Sequence, residues 1–143
     1  MAVDERLNPA PSSPQPASKQ VGGIDLCPSL ALAERGRAFV FDVLVEGQVE
    51  RAFALRFDGV AVAYLNRCAH VQAEMDWQPG EFLDQDRRLI LCSLHGASYE
   101  PTSGRCVAGP CGRGRLVPLS LHEEHGVVRW YPSPDIRPVA EAF

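Results

Sequence analysis

Short runs of apolar and aromatic residues, alternating with polar ones at a period of two, fill the middle of the chain. AFVFDVLV (Ala38 to Val45), RAFALRF (Arg51 to Phe57) and VAVAYL (Val60 to Leu65) have strand length and are rich in β-branched and aromatic side chains, which fit a pleated, half-buried surface. Glu46-Gly47 and Asp58-Gly59 separate them. An Asp-Gly pair suits a tight hairpin turn because both central positions of that turn need positive φ. LILC (Leu89 to Cys92), LVPLSL (Leu116 to Leu121) and VVRWY (Val127 to Tyr131) continue the pattern, and only SLALAERG (Ser29 to Gly36) reads as helix, of one or two turns. The pattern predicts an all-β fold, a small antiparallel β-sandwich or partly open barrel.

The alternation fails at both ends and once inside. Residues 1–28 carry four prolines by position 16 and no apolar core of a secretory or twin-arginine signal, so a disordered tail is expected there. Residues 132–143, with Pro132, Pro134 and Pro138, read as a loose tail, which leaves residues 29–131 as the domain. Between Leu65 and LVPLSL, residues 66–115 end in SYEPTSGRCVAGPCGRGR (Ser98 to Arg115), too dense in glycine and proline to be packed sheet throughout. They are expected to project from the sandwich as loops, where function usually sits.

Composition narrows the class. A chain of 143 residues with 45% hydrophobic and 22% charged content is one ordinary domain with a real core. No stretch has the length of a membrane span, and the expected location is cytoplasmic. A formal charge of -4 without a basic, aromatic-interrupted stripe disfavours nucleic acid and suits a protein that meets other proteins. Five cysteines, an odd count without secretory context, argue against a disulfide framework and for metal binding.

The candidate ligands lie in the projecting region, as Cys68-x-His70 and Cys92-x-x-His95. Packing asks for no such arrangement, since carbon side chains fill a core without metal affinity. Two thiolates and two imidazoles can close a tetrahedron around zinc. Zinc fingers, however, commonly pair like ligands, whereas here each loop gives one of each. The mixed pairing suits a two-iron cluster in which one iron takes both cysteines and the other both histidines.

CxH followed by CxxHG resembles the motif of Rieske [2Fe-2S] proteins, and from Phe39 to Tyr131 the chain is similar to the small soluble Rieske-type ferredoxins. The resemblance implies a Rieske-like antiparallel sandwich with an inserted cluster-binding subdomain, and one [2Fe-2S] cluster per chain. It implies that Cys68 and Cys92 hold the inner iron and His70 and His95 the outer, exposed one. It implies further that Gly96 lets the backbone pass close to the cluster, that the Tyr99 hydroxyl reaches a cysteine sulfur, and that Gly109-Pro110 covers the cluster, with Val71 shielding its edge. Two departures point to the lower-potential branch. Ala73 and Leu94 stand where high-potential members carry a disulfide pair, and Ala97 stands where they carry a serine after the CxxHG glycine.

The remaining chemistry-bearing residues receive plainer readings. Cys106 and Cys111 begin a plant-type ferredoxin spacing, but Gly114 stands where its next cysteine belongs, so they are expected as structural or free thiols. Cys27 is expected as an uncommitted thiol ahead of the domain. His122 and His125 with Glu123 or Glu124 could imitate a two-histidine, one-carboxylate iron site. Their position before Gly126 suits a polar hairpin loop better. Trp77 is expected to pack under the insert.

The function implied is that of a soluble one-electron carrier, a component of a multicomponent oxidoreductase, accepting from a flavin-containing reductase and delivering to an oxygenase or similar enzyme. The chain has no room for the mononuclear-iron domain that oxygenase chemistry needs. Two other readings remain: a Rieske-like small or regulatory subunit of a nitrite-reductase-type enzyme, and a zinc-stabilised binding module.

Overall fold

The structure is a computed structural model that describes residues 23–71 and 73–142. Most of the expected tail, residues 1–22, lies outside the described residues.

The expected hairpins form. β2 (Phe39–Val45) and β3 (Gln48–Phe57) meet across Glu46 and Gly47, and β3 and β4 (Val60–Leu65) across Asp58 and Gly59. All four turn residues have positive φ, 51° and 82° in the first turn and 53° and 80° in the second. Both turns therefore twist with the strands they join. Downstream, β8 (Pro118–Glu124) and β9 (Val127–Tyr131) make a third hairpin. The strands pair antiparallel in the order β1-β9-β8-β4-β3-β2-β10, where β1 is Ile24–Pro28 and β10 is Ile136–Pro138. A smaller sheet is made of β5 (Ile90–Leu91), β6 (Ser98–Tyr99) and β7 (Cys106–Ala108), in that order.

Two cores result, and β3 divides them. Side chains alternate across a strand, so Phe53, Leu55 and Phe57 face one core while Ala52 and Ala54 face the other. Tyr64 joins the first, and its neighbours Ala63 and Leu65 the second. The alanine-lined core is closed by Leu119, Val128, Trp130 and Ile136 from the curled large sheet. The aromatic core lies under the projecting loops, where Phe53 stacks on Phe82 with ring centroids 3.7 Å apart. Cys68 and Cys92 belong to this aromatic core, which seats the candidate site on packed carbon.

Three expectations need correction. Residues 24–28 are the edge strand β1 rather than tail, because Cys27 buries into the alanine-lined core while β1 pairs with β9. Residues 136–138 are the opposite edge strand, paired with β2 through Ile136, which is also buried. The helix expected from Ser29 to Gly36 shrinks to one 3-10 turn, Ser29–Ala31, because Leu32 buries and Arg35 takes a left-handed φ of 53°. Among the described residues, no helix is long and apolar enough to cross a membrane.

Candidate metal centre

β4 delivers the first loop, Asn66 to Val71, and β5 delivers the second, Cys92 to Ala97. Asn66 organises the first. Its Nδ2 donates to Asp76 Oδ1 at 2.9 Å, its Oδ1 accepts the Met75 N–H at 2.8 Å, and its own N–H donates to the Arg51 carbonyl at 2.8 Å. The Cys68 N–H donates to the Ala73 carbonyl at 3.0 Å, folding the loop back on itself. The second loop is a tight turn in which Cys92 N–H donates to Ala97 O at 2.8 Å and Gly96 N–H to Cys92 O at 3.1 Å. Met75 ties the two together: its N–H bonds Asn66, its carbonyl accepts the Ser93 N–H at 3.0 Å, and its side chain is fully buried. Sequence reasoning missed this brace; the signal available was an asparagine directly after a strand, poised to satisfy loop backbone groups.

The four motif residues converge on one tip as a buried pair and an exposed pair. Cys68 and Cys92, each 1% exposed, are free thiols at the floor. His70 and His95 are exposed above them, with ring centroids 5.3 Å apart and planes nearly perpendicular. The Tyr99 hydroxyl lies 3.2 Å from Cys68 Sγ and accepts the Ala69 N–H at 3.0 Å, which leaves its own proton free for the sulfur. Burial pushes the Tyr99 phenol up, and the Cys68 sulfur reinforces the shift. Burial also works to raise Cys68, but the Tyr99 bond and the N–H groups of Val71 and His70 outweigh it and hold this thiol below its ordinary value. Cys92 is raised, chiefly by burial.

Among the described residues, no three His, Cys, Asp or Glu side chains gather where one metal ion could be held. The donors fall into two pairs, soft sulfur below and imidazole above, a set that fits a group with two metal positions better than a single tetrahedral ion.

The segment after β7 closes over both loops. Gly109 has φ +85°, and a Cβ there would lie 2.6 Å from the Gly96 carbonyl oxygen and 2.9 Å from Ala97 Cα. Only glycine fits so close an approach at that φ. A Cβ at Gly114 would lie 2.8 Å from that of Ala69, which stands between Cys68 and His70. Cys106 and Cys111 are not free thiols: a disulfide joins them, with Cα atoms 5.8 Å apart. The turn through Gly109-Pro110 brings the two cysteines within bonding range, a closure that spacing alone did not reveal.

The model of the Rieske [2Fe-2S] domain matches residues 24–132. The chain belongs to this family. A Rieske domain holds a [2Fe-2S] cluster. Among solved structures, the Rieske fold here is similar to the ferredoxin of carbazole 1,9a-dioxygenase from Nocardioides aromaticivorans IC177, with TM-score 0.60 and 20% identity over 78% of this chain and 98% of that one. It is also similar to the terminal oxygenase of carbazole 1,9a-dioxygenase from Novosphingobium sp. KA1, with TM-score 0.60 and 24% identity over 76% of this chain but only 29% of that one. At such identities the likeness is one of fold. Comparison with curated proteins finds no match.

Three secondary candidates of the Rieske chain resolve differently. Glu123 is bound by Arg56 through two nitrogens, at 2.6 and 3.0 Å, so it is not offered to His122 and His125, which flank Glu124 instead. His125 (φ 54°) and Gly126 form the hairpin turn as expected, while His122 lies on β8. Trp77 is 50% exposed rather than packed under the insert, because Met75 and Phe82 take the core positions on either side of its turn.

Proposed function

We propose that this Rieske domain is a one-electron carrier whose [2Fe-2S] cluster is held by Cys68 and Cys92 on one iron and His70 and His95 on the other. The observation that carries the reading is the division of the tip into two buried thiols and two exposed imidazoles 5.3 Å apart. When bound, the cluster supplies reversible one-electron redox chemistry. The chain's own residues do the rest: the aromatic core excludes water beneath the sulfurs, Tyr99 donates toward Cys68, and the Gly109-Pro110 turn lies against the second loop. The exposed histidine edge is the short route for an electron leaving the protein.

The acceptor in this reading is an oxygenase. Ferredoxin–oxygenase complexes of carbazole 1,9a-dioxygenase among the structurally similar proteins support it. The donor is a flavin-containing reductase and the setting the cytoplasm. A zinc module is disfavoured by the match to the Rieske [2Fe-2S] family. Iron and sulfide analysis of anaerobically purified protein, with EPR after dithionite, tests the reading: two irons, two sulfides and a Rieske-type signal are expected. Stoichiometric zinc without iron would end it.

A further inference from the structure

The carrier has a net charge of -4, yet the segment from Arg105 to Arg115 contains three arginines and no carboxylate. Elsewhere Arg35, Arg51, Arg56, Arg67, Arg87 and Arg129 each stand within ion-pair distance of an Asp or Glu, while Arg37, which donates to the Pro79 carbonyl, and Arg88 are scattered exceptions. Among the described residues Arg105, Arg113 and Arg115 have no such partner; Arg115 donates to the Ser103 carbonyl at 3.0 Å. The acid nearest in sequence, Glu100, is occupied by the N–H and hydroxyl of Thr102 and the N–H of Ser103. Arg105 and Arg115 even face each other across an antiparallel bridge. Like charges directly opposite are destabilising, and a carboxylate supplied from outside the chain would offset that repulsion.

Their position says what that is for. Gly114, between Arg113 and Arg115, packs on Ala69 between Cys68 and His70, and Gly109 packs on Gly96 beside His95. The arginines therefore edge the face that carries the two histidines. Leu94 (52% exposed) in the Cys92–Ala97 turn, Val107 (49% exposed) on β7 and Pro110 in the segment after it are exposed apolar residues of the same subdomain. An apolar centre with a charged rim is the anatomy of a protein interface.

We propose that this face docks on an acidic surface of a redox partner protein, with Leu94, Val107 and Pro110 at the centre and Arg105, Arg113 and Arg115 pairing with its carboxylates. The assignment rests on the carrier reading and adds the partner's charge to it. Rim charges of this kind act mainly on the encounter rate and lose effect as salt rises.

The cluster-loaded full chain can be tested on gold electrodes bearing carboxylate-terminated or ammonium-terminated monolayers at low ionic strength. The whole-molecule charge of -4 favours the ammonium surface, so the two ideas predict opposite results. Docking through the arginines gives faster electron exchange on the carboxylate surface, suppressed by salt. R105E/R113E, which spares the Arg115 bond to Ser103, should slow that exchange about tenfold or more. R88E should leave it unchanged, because Arg88 lies in the turn whose Arg87 bonds Arg35 beside Asp58, at the end of β3 and β4 away from the cluster loops. If the double variant loses its cluster signal, Arg113→Gln alone should slow exchange in the same direction. Equal or faster exchange on ammonium, or arginine variants that match the parent, would overturn the docking assignment while leaving the carrier intact. A parent chain with no [2Fe-2S] signal overturns both at the first step.

Discussion

The two loops that carry the proposed ligands are held in place by different means. The first is organised by side chains: Asn66 bonds Asp76 and the Met75 backbone, and the Tyr99 hydroxyl bridges Cys68 Sγ and the Ala69 N–H. The second is a compact turn closed by its own backbone, with Cys92 bonded to Ala97 and Gly96 to Cys92, and with Gly109 pressed against it from outside. A side-chain donor thus reaches the sulfur of the first loop, while the corresponding place in the second, Ala97, is buried and carries only a methyl group. In the proposed ligand assignment, position and electronic tuning are therefore separable, and variants can be chosen to disturb one without the other.

The largest effect belongs to the floor ligands. Cys68→Ser or Cys92→Ser should abolish the cluster absorbance, whereas His122→Ala, on β8, should keep it; retained absorbance in either cysteine variant would mean the ligand assignment is wrong. Next comes the cover. Gly109→Ala places a methyl 2.6 Å from a backbone oxygen at φ +85°, with strain of about 1–3 kcal/mol before any clash is counted. Gly114→Ala meets the Ala69 methyl and the Cys111 carbonyl without a positive φ. Cluster bleaching in air should accelerate in both, and more in the first. The reverse order would show that the cover protects through the first loop.

The disulfide ranks third. Cys106→Ser or Cys111→Ser should leave the cluster in place and lower unfolding stability by about 2 kcal/mol, the loop-closure value for so short a ring, read from denaturant midpoints. Loss of the cluster in these variants would make the cover a condition of assembly. Thiol titration of the denatured, metal-free chain without reductant should find three free cysteines, Cys27, Cys68 and Cys92. Five would show that the pair stays reduced.

The smallest shifts are the most informative about the comparison. A donor to cluster sulfur stabilises the reduced state more than the oxidised one, since reduction adds negative charge. Tyr99→Phe should therefore lower the reduction potential. Ala97→Ser, which gives the second loop the donor it lacks, should raise it. A differential hydrogen-bond energy of about 1–2 kcal/mol corresponds to about 40–90 mV for one electron. Protein-film voltammetry reads both, and a shift of opposite sign in either would place that side chain away from the sulfurs.

What was legible in the sequence follows the same division. β2 to β4 were readable because alternation and glycine turns are local signals, and the motif pairs were readable because mixed cysteine–histidine spacing has no packing explanation. β1 and β10 were not, since edge strands tolerate the prolines that mask them; Pro28 and Pro138 end these two. In the small sheet β5 lies inside the expected LILC run, whereas β6 and β7, of two and three residues, are too short to show a period. The Asn66–Met75 brace and the Cys106–Cys111 bond depend on backbone groups and loop closure, which become visible only when the chain is folded.

The central claim is that His70 and His95 share one iron of the cluster while Cys68 and Cys92 hold the other. Pulsed EPR of the dithionite-reduced protein with ¹⁵N-labelled histidine tests it most directly. Two strongly coupled histidine nitrogens are expected in the parent, and their pattern should be lost or reduced to one in His70→Cys and in His95→Cys, with His125→Ala unchanged. A reduced cluster showing no coupling to histidine nitrogen, or the parent pattern surviving in either ligand variant, would contradict the account.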